Sequence, residues 1–429
     1  MKVLTRLSRI AAMVAGLLGS AAALAADLTV WGLQAFNKEA DAYIGEVVKE
    51  FGRKKGVDAQ YVVVPANVLN EKLAAAFEGG APPDVFMQVG QRIQFYIARG
   101  LTIPLDDVLA DMRRVNGGIF ENLVPQGASG GAVHALPLEV DVVPMFVRTD
   151  LLAEVGRGVP TTWEELREAA KLIQAKHPQV SGFGMTLSNS NDAETQMRMV
   201  IWSFGGKLFA PDGRTVTFDS PETRAAFQFV ADMFARDRTI PRPALTWDDS
   251  GNNVAFQTGR SAFVINPPSV YSWMVANDQK LLAGSKMIAA PRGPGPQGRN
   301  GPSVGAWVWA VAKQSRKQDL AKEFLRAFFE PAAYQGMIEK VGGRWVPIYP
   351  DMLRTMPLFA GNPHFSEFKT MAETGIVDGY AGPPTALAGN IWDANIVTKV
   401  LQKILVDGTP VGEAVAGGQK EMEAIAAKG

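Results

Sequence analysis

The chain contains no cysteine among its 429 residues. That excludes a disulfide framework, a thiolate metal site, a cysteine nucleophile and a lipid-attachment thiol. Histidine is nearly as scarce, with His134, His177 and His364 far apart in sequence. No H-x-x-H, H-E-x-x-H or G-x-S-x-G pattern appears, so neither a metal-ligand set nor a nucleophile elbow is expected. A phosphate-cradling G-x-x-x-x-G-K-[ST] or G-x-G-x-x-G is missing as well, and no cofactor is anticipated. Charge of one sign is not in excess, since 43 basic residues meet 43 acidic ones. A balanced, interspersed surface offers no footprint for nucleic acid or anionic lipid. Past the N-terminus no run of 18 apolar residues occurs, so nothing downstream is expected to span a membrane.

What is present begins with an export pattern. Lys2, Arg6 and Arg9 form a positive region, Ile10 to Leu18 is uninterruptedly apolar, and a run of small residues follows from Gly19. Ala23-Leu24-Ala25 is an A-x-A cleavage site, so residues 1–25 read as a signal peptide and the mature chain starts near Ala26 or Asp27. An apolar run of about nine residues is too short for a bilayer, which needs about 20. Because Arg6 and Arg9 are not adjacent, the general secretory route is expected. Without a lipidation cysteine the product is expected to be free in a periplasm.

The remaining chain is too long for one compact core and predicts two domains. Leu28–Trp31 reads as a strand, Asn37–Lys54 as a helix, Ala59–Val64 as a strand, Asn70–Phe77 as a helix and Asp84–Met87 as a strand. This alternation predicts an α/β fold with a mostly parallel sheet, and ligands in such sheets sit beyond the strands' carboxyl ends. The stretches from Trp31 to Gln34 and from Gln88 to Arg92 follow those ends and are pocket candidates, Trp31, Gln88 and Gln91 foremost. A second α/β pattern starts with a strand over Val140–Val147 and a helix opened by a Thr-x-x-Glu capping box, a spacing that occurs twice, from Thr161 and from Thr162. Asn191 follows the strand expected over Gly182–Leu187, and Asn266 ends the strand expected over Ala262–Ile265. The Pro/Gly-rich residues 291–302 read as a loop, and Val304–Val311 as a further strand. A last helical stretch begins near Ile391.

The order of several short motifs resembles that of bacterial extracellular solute-binding proteins of the maltose-binding type. They are Pro82-Pro83-Asp84-Val85-Phe86, Leu136-Pro137-Leu138-Glu139-Val140-Asp141, Arg148-Thr149-Asp150-Leu151-Leu152, Phe256-Gln257-Thr258-Gly259 and Val304-Gly305-Ala306-Trp307. Each is weak alone, but together they cover nearly the whole mature chain. The resemblance implies a two-lobed periplasmic-binding-protein fold of type II with discontinuous lobes. Residues 27–138 and 303–343 would form the N-terminal lobe, and 139–290 and 344–429 the C-terminal lobe. It also implies a sugar or related solute in the cleft and delivery to the membrane subunits of an ABC importer, by a monomer.

A sugar presents an apolar C–H face and a rim of hydroxyls, so aromatic planes and donor–acceptor side chains are the expected partners. By position in the family pattern, Trp307, Trp273 and Trp392 are the aromatic candidates, beside Trp31. Asp141 matches the acidic position of the central signature, and a carboxylate holds hydroxyls by charge-assisted bonds. Arg344 lies near a crossover between lobes, where it either faces the ligand or forms a hinge ion pair. Phe146-Val147 and Pro267-Pro268-Ser269 depart from the usual family residues and leave the ligand subtype open. The alternatives are a receptor for a polyol, glycerol phosphate diester or polyamine, and a secreted carbohydrate-active hydrolase, whose paired carboxylates need no local motif.

Overall fold

The computed structural model describes residues 26–35, 38–65 and 68–428. The expected signal peptide and its cleavage site lie outside the described residues. In chain order the elements that build the site are β1 (Leu28–Leu33), α1 (Lys38–Lys55), β2 (Ala59–Val64), β3 (Val85–Val89), α2 (Gly90–Ala98), β4 (Ala135–Pro137), β5 (Asp141–Val143) and β6 (Met145–Arg148). They continue with α3 (Trp163–Lys176), β7 (Ser181–Phe183), α4 (Asn191–Ser203), β8 (Ser261–Ile265), α5 (Ser269–Asn277), β9 (Ser285–Ile288), β10 (Ser303–Gly305) and β11 (Trp307–Val311). α6 (Pro331–Val341), α7 (Ala386–Asp393) and α8 (Ile396–Leu405) complete the set.

Two sheets form, one per lobe. The first has the order β2-β1-β3-β11-β4, with β1 parallel to β2 and β3, and β11 antiparallel to both its neighbours. The second has the order β9-β6-β8-β7, in which only the β7–β8 pair is parallel. The reading of a mostly parallel sheet therefore applies to β2-β1-β3 alone. Strands that return from the other lobe enter antiparallel, and no local pattern announces that.

Periodicity explains the layers. On α1 the buried residues Ala40, Ile44, Val48 and Phe51 recur at helical spacing and pack on the first sheet. On the second sheet burial alternates with a period of two. Phe146, Val264 and Met287 point into the apolar cluster shared with the first lobe, whereas Met145, Val147, Phe263, Ile265 and Ile288 point into a second cluster. Both faces of that sheet are covered, which is why its strands carry few polar residues. At the start of α3 the Thr162 hydroxyl accepts from Glu165 N at 3.2 Å and the Glu165 carboxylate accepts from Thr162 N at 3.2 Å, closing the expected capping box. Trp163 beside it is buried.

Between the sheets runs a two-stranded antiparallel ladder, β5 against β10, with Asp141 opposite Gly305 and Val143 opposite Ser303. Two strand expectations divide here. Val140–Val147 breaks at Pro144, which has no N–H to donate, into β5 and β6. Val304–Val311 breaks at Ala306 into β10 and β11, which belong to different sheets. Trp345, Val346, Ile348 and Tyr349 join the apolar cluster that residues of both sheets share, and Val346 bridges Val140.

Candidate functional site

β5 and β10 supply the floor of a half-open cavity of about 180 Å³, through Asp141, Val143, Ser303 and Gly305. The first lobe supplies one wall from the end of β3 and the first turn of α2, with Val89, Gln91 and Arg92. The second lobe supplies the other from the first turns of α4, with Asn191, Asp192, Thr195 and Gln196, and from the end of β8, with Ile265, Asn266 and Pro267. Trp392, near the end of α7, closes the ring. The cavity thus sits beyond the carboxyl ends of β3 and β8, where an α/β sheet presents its ligands.

Local sequence accounts for the geometry. Ser190 caps α4, its hydroxyl accepting from Ala193 N at 3.3 Å, which fixes the turn carrying Asn191 and Asp192. Asn266 follows the last residue of β8, where the chain must turn before Pro267. Its amide donates to Asp192 Oδ2 at 3.2 Å and to Asn253, and its Oδ1 accepts from Ser269 at 3.0 Å. Asn252 donates to the same Asp192 oxygen at 3.1 Å. Gln196 spends its amide on Thr186 N (2.8 Å) and Ile265 O (3.1 Å), so it is a brace. Trp392 is held from behind by the buried Arg198, whose guanidinium lies 4.7 Å from the ring centroid. Arg198 is itself fixed by Glu194 at 2.8 Å and by Asp378.

The lobes also touch directly. Arg92 Nε donates to Asp393 Oδ1 at 2.5 Å, joining α2 to α7. On the same helix pair, a Cβ at Gly389 would lie 2.5 Å from the carbonyl oxygen of Gln91. Glycine is required there by close approach, since its φ is not positive.

Electrostatically the site is crowded with carboxyls. Burial, and then the neighbouring Asp249, push Asp192 up to about 8. Burial raises Asp141 as well, opposed by the Arg344 guanidinium. Glu139 lies behind the floor, wholly buried, and burial followed by Asp141 drives it well above the carboxylate range. One of its oxygens accepts from Trp307 N at 2.8 Å, while Oε2 has no partner among the described residues.

Of the ten residues expected at a site, the cavity gathers Gln91, Asp141, Asn191, Asn266 and Trp392. The other five do not line it. Gln88 is buried on β3, its amide accepting from Val89 N at 2.8 Å. Trp307 pairs in register with Val89 but turns its ring onto Trp345, with centroids 5.1 Å apart and edge to face. Arg344 lies over the Trp307 ring at 5.6 Å and donates to Ala35 O at 2.6 Å, so it ties β1's end to the crossover. Trp31 and Trp273 are half-buried against the first lobe's cluster. Arg92, from the stretch expected beyond the third strand, also lines the cavity, as does Asp192, which carried no family or motif signal; its position at a helix first turn was the signal available. Among the described residues no cluster suited to a metal ion occurs, and no helix is long and apolar enough to cross a membrane.

Comparison with known proteins agrees with this architecture. The family model for bacterial extracellular solute-binding proteins matches residues 36–335. A probable ABC transporter-binding protein of Deinococcus radiodurans is 27% identical over 212 residues, 48% of this chain and about half (50%) of that protein. An arabinooligosaccharide-binding protein of Bacillus subtilis is 23% identical over 309 residues, 70% of this chain and 68% of that one. Among solved structures, a solute-binding protein of Thermotoga lettingae bound with alpha-D-tagatose superimposes with a TM-score of 0.79 at 20% identity, covering 93% of this chain and 99% of that one. That likeness establishes the shared two-lobed fold. The family model covers most of the chain, and this protein belongs to the bacterial extracellular solute-binding protein family.

Proposed function

We propose that this protein is the substrate-binding component of an ABC importer. It is exported to a periplasm with residues 1–25 removed, takes a sugar or related polyhydroxylated solute between its lobes, and hands it to the membrane subunits unchanged. One observation carries the reading: a small, half-open cavity has walls from both lobes and is lined with carboxylates and amides, with one tryptophan. A ligand drives closure only through contacts it makes better in the closed state, so a cavity built from both lobes is the required arrangement. The binding residues on this reading are Gln91, Arg92, Asp141, Asn191, Asp192, Asn266 and Trp392. At about 180 Å³ the cavity falls below the range of about 300–1,000 Å³ typical of drug-sized ligands. A monosaccharide-sized solute suits that volume, and the relatives that bind arabinooligosaccharide and tagatose support the sugar class.

Native purification of the mature protein followed by mass spectrometry of the bound small molecule tests the proposal. A polyhydroxylated solute recovered intact is expected, and a hydrolysed product would point to an enzyme instead. In a thermal-shift panel, a true ligand at 100 times its dissociation constant stabilises the fold by about 2.7 kcal/mol.

A further inference from the structure

Several side-chain donors on the cavity wall are spent within the protein, although the Gln91 amide and the Ser303 hydroxyl also line it and make no hydrogen bond among the described residues. Arg92 is engaged by Asp393, Gln196 by Ile265 O, Asn266 by Asp192 and Asn253, and the Thr195 hydroxyl by Asn191 O at 3.1 Å. The acceptors are not spent. Asp192 receives both its amide bonds on Oδ2, and neither oxygen of Asp141 accepts a hydrogen bond from the described residues. Further carboxyl groups stand behind them: Asp249 beside Asp192, and Glu139, whose proton affinity burial raises, beside Asp141. Against these the nearby cations are Arg92, already paired, and Arg344, which spreads its field over Asp141, Glu139, Asp41 and Asp192.

Resting on the sugar-receptor reading, we infer that the solute carries a protonated amine, held between the Asp141 and Asp192 carboxylates, and that Asp141 is the residue selecting it over acidic and phosphorylated sugars. An ammonium brings three N–H donors and one positive charge to a site that holds free acceptors and an excess of carboxyls. A uronate or sugar phosphate would add a further buried anion to that excess. Asp192 is destabilised as an anion first by burial, then by Asp249 and to a smaller extent by Asp141, against the favourable Asn252 and Arg344, and a cation placed between the two aspartates offsets these costs. Binding of the amine then releases the proton that Asp192 holds, and affinity for the amine rises as pH goes from 6 to 8.

Isothermal titration with matched trios of hexose, aminohexose and hexuronate, across the common hexose epimers, tests this. In at least one trio the aminohexose is expected to bind ten-fold or more tightly than its parent hexose at pH 8, and the hexuronate not to bind. The aminohexose preference is expected to collapse toward parity in Asp141→Asn. A parent hexose or a hexuronate that binds as tightly as its amine overturns the inference, as does a preference that survives Asp141→Asn. Failure of every trio overturns the monosaccharide-receptor reading itself, a result distinct from loss of the amine preference.

Discussion

Asp192 and Asn266 meet where the first turn of α4 faces the end of β8, and each is placed by the other. The same contact buries a carboxyl beside Asp249 and lifts its proton affinity. The sign of the consequence follows from linkage. With its folded value raised to about 8, Asp192 keeps a proton in the folded state that the unfolded chain has already lost. The ligand-free protein is therefore expected to lose stability as pH rises from the ordinary carboxylate range toward 8. Thermal unfolding at a series of pH values checks this, and Asp192→Asn should flatten the slope. It should not abolish it, because burial also raises Asp141, Glu139, Glu194 and Asp378. For the ligand, Asp141→Ala and Trp392→Ala are each expected to weaken binding ten-fold or more, about 1.4 kcal/mol. Denaturation midpoints close to wild type would show that the loss is local. Wild-type affinity in both variants would remove these residues from the site.

At the level of elements, the pair α2 and α7 connects the lobes at the cavity wall. Gly389 allows the helices to approach, and Arg92–Asp393 closes the contact. Gly389→Val places side-chain atoms against the Gln91 carbonyl and must separate the helices. A several-fold loss of ligand affinity is expected, measured by calorimetry, with secondary structure unchanged by circular dichroism. Helix α3 gives a control remote from the cavity. Thr162→Ala removes a reciprocal cap and is expected to cost about 1 kcal/mol of stability while leaving affinity intact.

Across the whole molecule, two α/β units are joined through the β5–β10 ladder and the residues around Val346, and they also touch along α2 and α7. If a bound solute draws them together, the motion is the hinge closure characteristic of periplasmic binding proteins. Small-angle scattering is expected to show a smaller radius of gyration with ligand than without. An unchanged radius would count against closure driven by the bound solute.

How much of this was legible beforehand depended on the range of the interaction concerned. The export pattern, the absence of cysteine and catalytic motifs, the βαβ opening, the capping box at Thr162 and the order of family motifs are properties of adjacent residues. Periodicity and short-range bonding express them directly. Five expected ligand residues reached the cavity: Gln91 and Asn266 follow strand ends, Asn191 opens a helix, Trp392 lies near a helix end, and Asp141 opens the ladder strand between the sheets. Trp307 was diverted by a partner remote in sequence, Trp345, and Gln88 lies within β3, buried and bonded to Asn70. Arg92 and Asp192 acquire meaning only when α2 meets α7 and α4 meets β8. The raised proton affinity of Asp192 likewise comes from burial and from Asp249, 57 positions along the chain. Free acceptors lining a cavity between two lobes are a property of that packing, and no stretch of residues carries it alone.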